Sequence, residues 1–312
     1  MGYARAMPRA LILGGTGAIG LATARRLLAA GWSVNVTGRN PARLPADLAT
    51  AGATFIPAER EDPGQVRVAF GDGAGNHANS PTPPRFDGPV RESQPTMAPA
   101  GPDTDYRTRD GYGASKVAAE QVLLDSGASV TVLRPGKVHG PGASTPREWV
   151  FVKRVLDRRP AVFLARQGRG VDQPTAAANV AALIETVAAT PGRRVLNSAG
   201  PDAPTALEIS RTIARLLDHR WQEVLLADDA DSPLGRHPWD VPHPVVLDTT
   251  AAVELGYTPV GDYATTVADT VEWLVATAGD SGTADQLPGA DDPYFGAMLD
   301  YAAEDHYLRR TS

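Results

Sequence analysis

The chain has 312 residues, 42% of them hydrophobic, with a formal charge of -6 and no cysteine. A chain of this length can bury a sizeable core, as one large domain or two interleaved ones. The acidic balance disfavours a broad nucleic-acid or anionic-membrane face, and the missing thiols exclude disulfides, thiolate metal sites and cysteine nucleophiles. No apolar run approaches the roughly twenty residues of a membrane span and no signal-peptide core opens the chain, so a cytoplasmic protein is expected.

The first predicted element is a strand at 10–13, which empties into Gly14-Gly-Thr16-Gly17-Ala18-Ile19-Gly20. Each spaced glycine answers a separate steric need. Gly14 permits the tight turn, Gly17 lets the backbone approach a pyrophosphate, and Gly20 lets the next helix pack on the sheet. A helix over 21–30, a stop at Gly31 and a strand over 33–37 complete a βαβ unit of about thirty residues, so Gly14 and 16–20 are the expected dinucleotide contacts. The second strand ends in Thr37-Gly-Arg39-Asn, without the acidic residue that would hold a ribose 2′-OH. A guanidinium pairs with phosphate oxygens, so Arg39 predicts NADP in preference to NAD, with NAD still allowed. Arg43 is either a second clamp or an ordinary solvated arginine.

A third strand is expected at 54–57, helices at 64–70 and 114–124, a strand at 129–133, helices at 149–156 and 176–188, and a strand at 194–197. Thr205 and Glu208 form a capping-box start for a helix to 217. This alternation predicts an α/β fold with a parallel sheet covered by helices. The stretch 71–111 breaks it, with seven prolines and no apolar run of strand length. From 278 the composition turns to Gly, Asp, Ser and Pro before a closing helix at about 294–307, a tail in which no chemistry is visible. The expected divisions are a dinucleotide-binding domain at 8–145, a second lobe at 146–277 and the tail at 278–312.

Tyr112-Gly-Ala-Ser-Lys116 opens the long helix, and residues four apart share a helical face. A nearby ammonium lowers a phenol's pKa toward the range useful to a general acid or base. Taken alone, such a pair also fits an ordinary surface contact.

In order, the glycine fingerprint, Tyr112-x-x-x-Lys116, Leu133-Arg-Pro-Gly-Lys-Val-His-Gly-Pro-Gly142 and Asp248-Thr-Thr-Ala-Ala-Val-Glu-Leu-Gly-Tyr-Thr-Pro259 resemble the extended and atypical short-chain dehydrogenase/reductases, the NAD-dependent epimerase/dehydratase family. The resemblance covers residues 9–276. It implies a Rossmann-like doubly wound parallel sheet with a smaller C-terminal substrate lobe. It also implies hydride transfer at a nicotinamide, Tyr112 as acid/base, Lys116 as its tuner and ribose ligand, and Pro135 and Val138 lining the nicotinamide pocket. Asp62, in the acidic stretch from Glu59, falls where the family places an adenine-side acid; the alternative is a solvated loop.

Two departures accompany the resemblance. The family's fourth and fifth strands, the fifth ending in a Ser or Thr that hydrogen-bonds the substrate oxygen, are not recognisable, as though about fifty residues were missing between Gly73 and Ala74. Ser80, Ser93 and Thr96 are the substitutes within reach in sequence, none aimed by a strand. The second departure is Asp172, which stands where nucleotide-sugar members carry an arginine for the diphosphate, and a carboxylate there would repel it. His237, Trp239 and His243 lie in a proline-rich loop that is either structural or faces the pocket, and Arg147 beside Glu148 is either an anion contact or a solvated helix start. The expected function is an NAD(P)-dependent oxidoreductase acting on a small carbonyl or alcohol, impaired and marginally stable without the two strands, and mobile over 71–111. A non-catalytic NADP-binding regulatory or scaffold protein is the alternative, followed by a sugar-nucleotide epimerase/dehydratase or an RNA-binding relative. No metal, nucleic acid or membrane is expected as a partner, and a homodimer is allowed.

Overall fold

A computed structural model describes residues 7–57, 85–106, 108–228 and 234–311. The chain opens with β1 (Arg9–Ile12), α1 (Ala18–Ala29), β2 (Ser33–Gly38), α2 (Ala46–Thr50) and β3 (Thr54–Pro57). The three strands form a parallel sheet in the order β1-β2-β3, with Ile12 opposite Val36 and Val36 opposite Phe55. Their inner face is sealed by α1 and α2 through Leu21, Ala24, Leu27 and Leu48 against Ile12, Val34 and Val36. Gly31 makes the turn between α1 and β2 at φ +81°, a conformation costly for any residue with a Cβ.

The next helix, α3 (Arg109–Asp125), starts five residues before its expected position because Thr108 caps it, its Oγ1 accepting from the Gly111 amide at 3.0 Å. Then follow β4 (Thr131–Pro135), β5 (Lys137–His139), α4 (Trp149–Leu156), β6 (Ala161–Leu164), β7 (Pro174–Ala176), α5 (Ala177–Ala189), β8 (Arg194–Ser198), α6 (Ala206–Leu216), β9 (Gln222–Leu225), α7 (Thr250–Glu254) and α8 (Tyr263–Gly279). Strands β4 and β8, β5 and β7, and β6 and β9 pair in parallel. The alternating α/β architecture with parallel sheets is the expected one. Helices α1 and α5 join the two halves: Ile19 packs on the cluster of Leu133, Val180, Leu183 and Leu196, and Arg26 pairs with Glu185.

Among the described residues β2 is the one strand that pairs with β1, and Leu11 on β1 is 58% exposed. The expected helix at 64–70 and the junction at Gly73 lie outside the described residues. The expectation of mobility across 71–111 is corrected for the part from 85 onward. Val90 bridges Leu247, Glu92 accepts from the Asn197 amide at 2.8 Å, and Arg134 donates to the Glu92 carbonyl at 2.9 Å. These bonds tie an extended, proline-rich path to the ends of β4 and β8, satisfying backbone groups that no ladder serves.

The second lobe is built on α4, α6 and α8 around Trp149, Phe151, Ile209, Ile213, Trp239 and Leu274. The capping box at the start of α6 is formed as expected. The expected closing helix at 294–307 is instead a turn of 3-10 helix (Gly296–Leu299) and α9 (Tyr301–Thr311). The break falls at Asp300, whose carboxylate accepts from the Ala303 amide and begins a new helix. Phe295 and Leu299 enter the lobe core, and Glu304 pairs with Arg154 at 2.5 Å with both side chains buried.

Candidate active site

The cradle is built where β1 and β2 end side by side. The Thr37 hydroxyl accepts from the Gly14 amide at 3.2 Å, and its carbonyl accepts from the Gly15 amide at 2.9 Å. Gly14 has φ +66°, and a Cβ on Gly20 would stand 2.5 Å from the Gly15 Cα, so the helix presses directly on the turn. A Cβ on Gly17 would meet only the Gly14 carbonyl, at 3.8 Å, which leaves open space at the N-terminus of α1. Exposed amides and a helix N-terminus beside open space suit a pyrophosphate.

A cavity of about 650 Å³ is lined by Gly14 and 17–20, by Tyr112, Pro135 and Val138, and, along β1 and the neighbouring side of α1, by residues 10–13, Thr23, Leu27 and Trp32. Most of the expected cofactor contacts and the candidate acid/base therefore face one space. Thr16, Arg39 and Lys116 do not line it; the Thr16 side chain packs toward Gly38, where a Cβ would meet it at 3.1 Å. Arg39 is exposed just beyond β2, and no carboxylate among the described residues pairs with it. Tyr112 is 41% exposed, and the Lys116 ammonium lies 5.3 Å from its ring centroid, one helical turn on. Asp62 and Ser80 lie outside the described residues. Ser93 and Thr96 are exposed and do not line the cavity.

The loop 142–147 forms another wall, an element the sequence marked only at its ends, Gly142 and Arg147. Gly142, Ala143, Ser144, Thr145 and Arg147 line this cavity and also a second one, of about 1040 Å³. The second cavity is completed by Lys137, by Trp273 and Thr277 of α8, and by tail residues of 283–295. The tail, in which no chemistry was expected, therefore forms part of the wall of the second cavity. Arg43 lines the second cavity and not the cradle.

Asp172 is buried and pairs with Lys137 at 2.9 Å. The expected repulsion of a diphosphate is corrected: a carboxylate compensated this closely inside the protein projects little net charge. His237 is buried in the lobe, both ring nitrogens lack partners, burial pushes it down to about 4, and it lines neither cavity. No group of side chains suited to a metal ion occurs among the described residues. Behind Arg147, burial pushes Glu148 up to about 7, only partly offset by Arg147 and Lys137, and its Oε2 has no hydrogen-bond partner. Burial also holds His139 down at about 3, its Nδ1 3.1 Å from the Thr270 hydroxyl.

No family model and no curated protein matches the sequence. Solved structures do match the fold. One is MoeE5 in complex with UDP-glucose and NAD, 18% identical, TM-score 0.62, covering 86% of this chain and 99% of that one. Another is DesIV, a dTDP-glucose 4,6-dehydratase from Streptomyces venezuelae with NAD bound, 20% identical, TM-score 0.63, covering 87% and 98%. A third is the UDP-glucose 4-epimerase of Thermus thermophilus with NAD, 19% identical, TM-score 0.58, covering 85% and 98%. With parallel strands and a glycine turn at the start of α1 already in place, the chain has the Rossmann-like fold of the NAD-dependent epimerases and dehydratases.

Proposed function

We propose that the protein is an NAD(P)-dependent oxidoreductase of the epimerase/dehydratase type, which interconverts a carbonyl and an alcohol. The observation that carries this reading is the single cavity that Gly14, 17–20, Tyr112, Pro135 and Val138 line together. A bound dinucleotide supplies or accepts the hydride. The 17–20 turn holds its pyrophosphate against amide donors, and Pro135 and Val138 give the nicotinamide an apolar wall. Tyr112 gives or takes the proton of the substrate oxygen, and Lys116 favours the phenolate form. Arg39, exposed just beyond β2, favours a 2′-phosphate, so NADP is preferred.

A sugar-nucleotide substrate is the second reading, and three observations favour it. Among the matched structures MoeE5 holds UDP-glucose and DesIV is a dTDP-glucose 4,6-dehydratase, and the Lys137–Asp172 pair removes the charge that argued against a diphosphate. A second cavity of about 1040 Å³ beside the first is large enough for a substrate of that size. A small carbonyl compound needs only the first cavity.

The test is turnover by native protein and by Tyr112→Phe, with NADPH or NAD, on a panel of aldehydes, ketones and UDP- and dTDP-hexoses. Loss of one acid/base group removes about 10² to 10⁴ in rate while dinucleotide binding stays intact. Dinucleotide binding without any turnover would favour a regulatory or scaffold protein. Full turnover by Tyr112→Phe would place the residue outside the chemistry.

A further inference from the structure

Carbonyl reduction builds negative charge on the substrate oxygen before the proton arrives, so a site with an acid on one side gains from fixed donors on the other. Three donors in this molecule meet that need. The hydroxyls of Ser144 and Thr145 and the guanidinium of Arg147 belong to residues that line both cavities, including the one Tyr112 enters.

These donors are unengaged. Neither hydroxyl has a hydrogen-bond partner among the described residues, and Arg147 forms no ion pair there. Its Nη1 makes a long contact of 3.5 Å to the Val138 carbonyl, and its buried Nε has no partner. The other cation nearby, Lys137, is already compensated by Asp172 at 2.9 Å. Arg43 also lines the second cavity without an ion pair among the described residues, but of the two arginines only Arg147 lines the first cavity as well.

The loop that presents them is held at both ends. Gly142 has φ +82°, with its would-be Cβ 3.4 Å from Leu21 of α1, and the Ala143 amide donates to the Gly140 carbonyl at 3.1 Å. On the far side the Trp149 amide donates to the Pro146 carbonyl at 3.0 Å, and the Trp149 indole donates to the Pro288 carbonyl of the tail at 2.8 Å. Donors on a braced loop cost little reorganisation when charge develops.

We propose that Thr145 and Arg147 donate the hydrogen bonds that hold the substrate's carbonyl oxygen opposite Tyr112. The hydride forms a C–H bond at the carbonyl carbon and the π electron pair moves to the oxygen. That oxygen, held by Thr145 Oγ1 and Arg147, takes the proton of Tyr112; the products are the alcohol and the oxidised dinucleotide. This rests on the oxidoreductase reading, and it adds the residues that complete the site where Ser93 and Thr96 do not reach.

The experiment is steady-state reduction of 9,10-phenanthrenequinone by NADPH, with NADPH affinity measured separately by its fluorescence. Thr145→Val and Arg147→Gln each lower kcat by about 10²-fold with KM and NADPH affinity changed by less than about threefold. Thr145→Ser restores most of the rate, and Ser93→Ala leaves it unchanged. Native kcat in both Thr145→Val and Arg147→Gln overturns the proposal, as does a change confined to KM. So does native protein that binds NADPH yet does not reduce this activated diketone. Native protein that fails to bind NADPH instead overturns the oxidoreductase reading on which the proposal stands.

Discussion

Two residues set chemical preferences that single substitutions can read. Arg39 stands unpaired among the described residues beyond the end of β2, where a 2′-phosphate of a bound dinucleotide would lie. One charge-assisted contact contributes about 1.5 to 3 kcal/mol, so NADPH should bind about tenfold or more tightly than NADH. Arg39→Asp should reverse the order in a fluorescence titration, and equal affinities in the native protein would contradict the assignment. Glu148 makes a pH prediction. Burial raises its folded pKa from 4.5 to about 7, so between those values the native state binds more protons than the unfolded state. Its contribution to stability is then fully present below about 4.5 and is lost as pH rises through about 7. Glu148→Gln removes that loss, and its stability gain over native protein should grow across this window by up to about 3 kcal/mol. Denaturant unfolding at pH 5 and pH 8 checks this; a pH-independent difference would mean that Glu148 is ionised throughout. His139, held neutral by burial, slopes the other way and destabilises below its ordinary range, so the comparison must be between native and variant at each pH.

At the scale of elements, α3 is the one whose packing departs from the ordinary. Val117 is 6% exposed while Val122, on the same helix, is 71% exposed. Val122→Gln should therefore change stability by less than about 0.5 kcal/mol, whereas Val117→Ala should cost about 1 to 2 kcal/mol. A large loss at Val122 would show that its face is covered in solution. Elements with a strong local signal were legible in the sequence. Strands β2 and β3, the α4 boundaries and the α6 capping box follow from an apolar run beside a glycine or from a named capping pair. Strands β5, β6, β7 and β9 were not: three or four residues are too few to show a period, and none of them follows an α-helix closed by a glycine turn, as β2 follows Gly31 and β3 follows Gly52. Helix α8 was not read either, although Asp262 caps it by accepting from the Thr265 amide at 2.8 Å. The cradle and the Tyr112-Lys116 pair were legible because their spacing is itself the geometry. The role of loop 142–147 was hidden, since it depends on two cavities that only the folded chain brings to the same wall.

The whole molecule is held together across both lobes and the tail. Arg154 donates to Val150 and Met298 carbonyls and to Glu304, so it fastens the tail to the lobe core and thereby fixes one wall of the second cavity. Removing one partner leaves a buried charge uncompensated, and Glu304→Gln should cost about 3 to 5 kcal/mol and expose the tail to limited proteolysis after about residue 280. An unchanged digestion pattern would mean that Phe295 and Leu299 suffice to hold it. The proposed oxidoreductase needs the 17–20 turn to hold a dinucleotide in the space Tyr112 faces. Gly17→Val tests it most directly, because a Cβ there meets only one protein atom, at 3.8 Å, and the backbone is extended at φ -90°, which any residue adopts. In NADPH titrations monitored by fluorescence, the variant should keep the native melting temperature and lose about tenfold or more in affinity, since its side chain fills the place of the pyrophosphate. Equal NADPH affinity in native protein and Gly17→Val would contradict the claim.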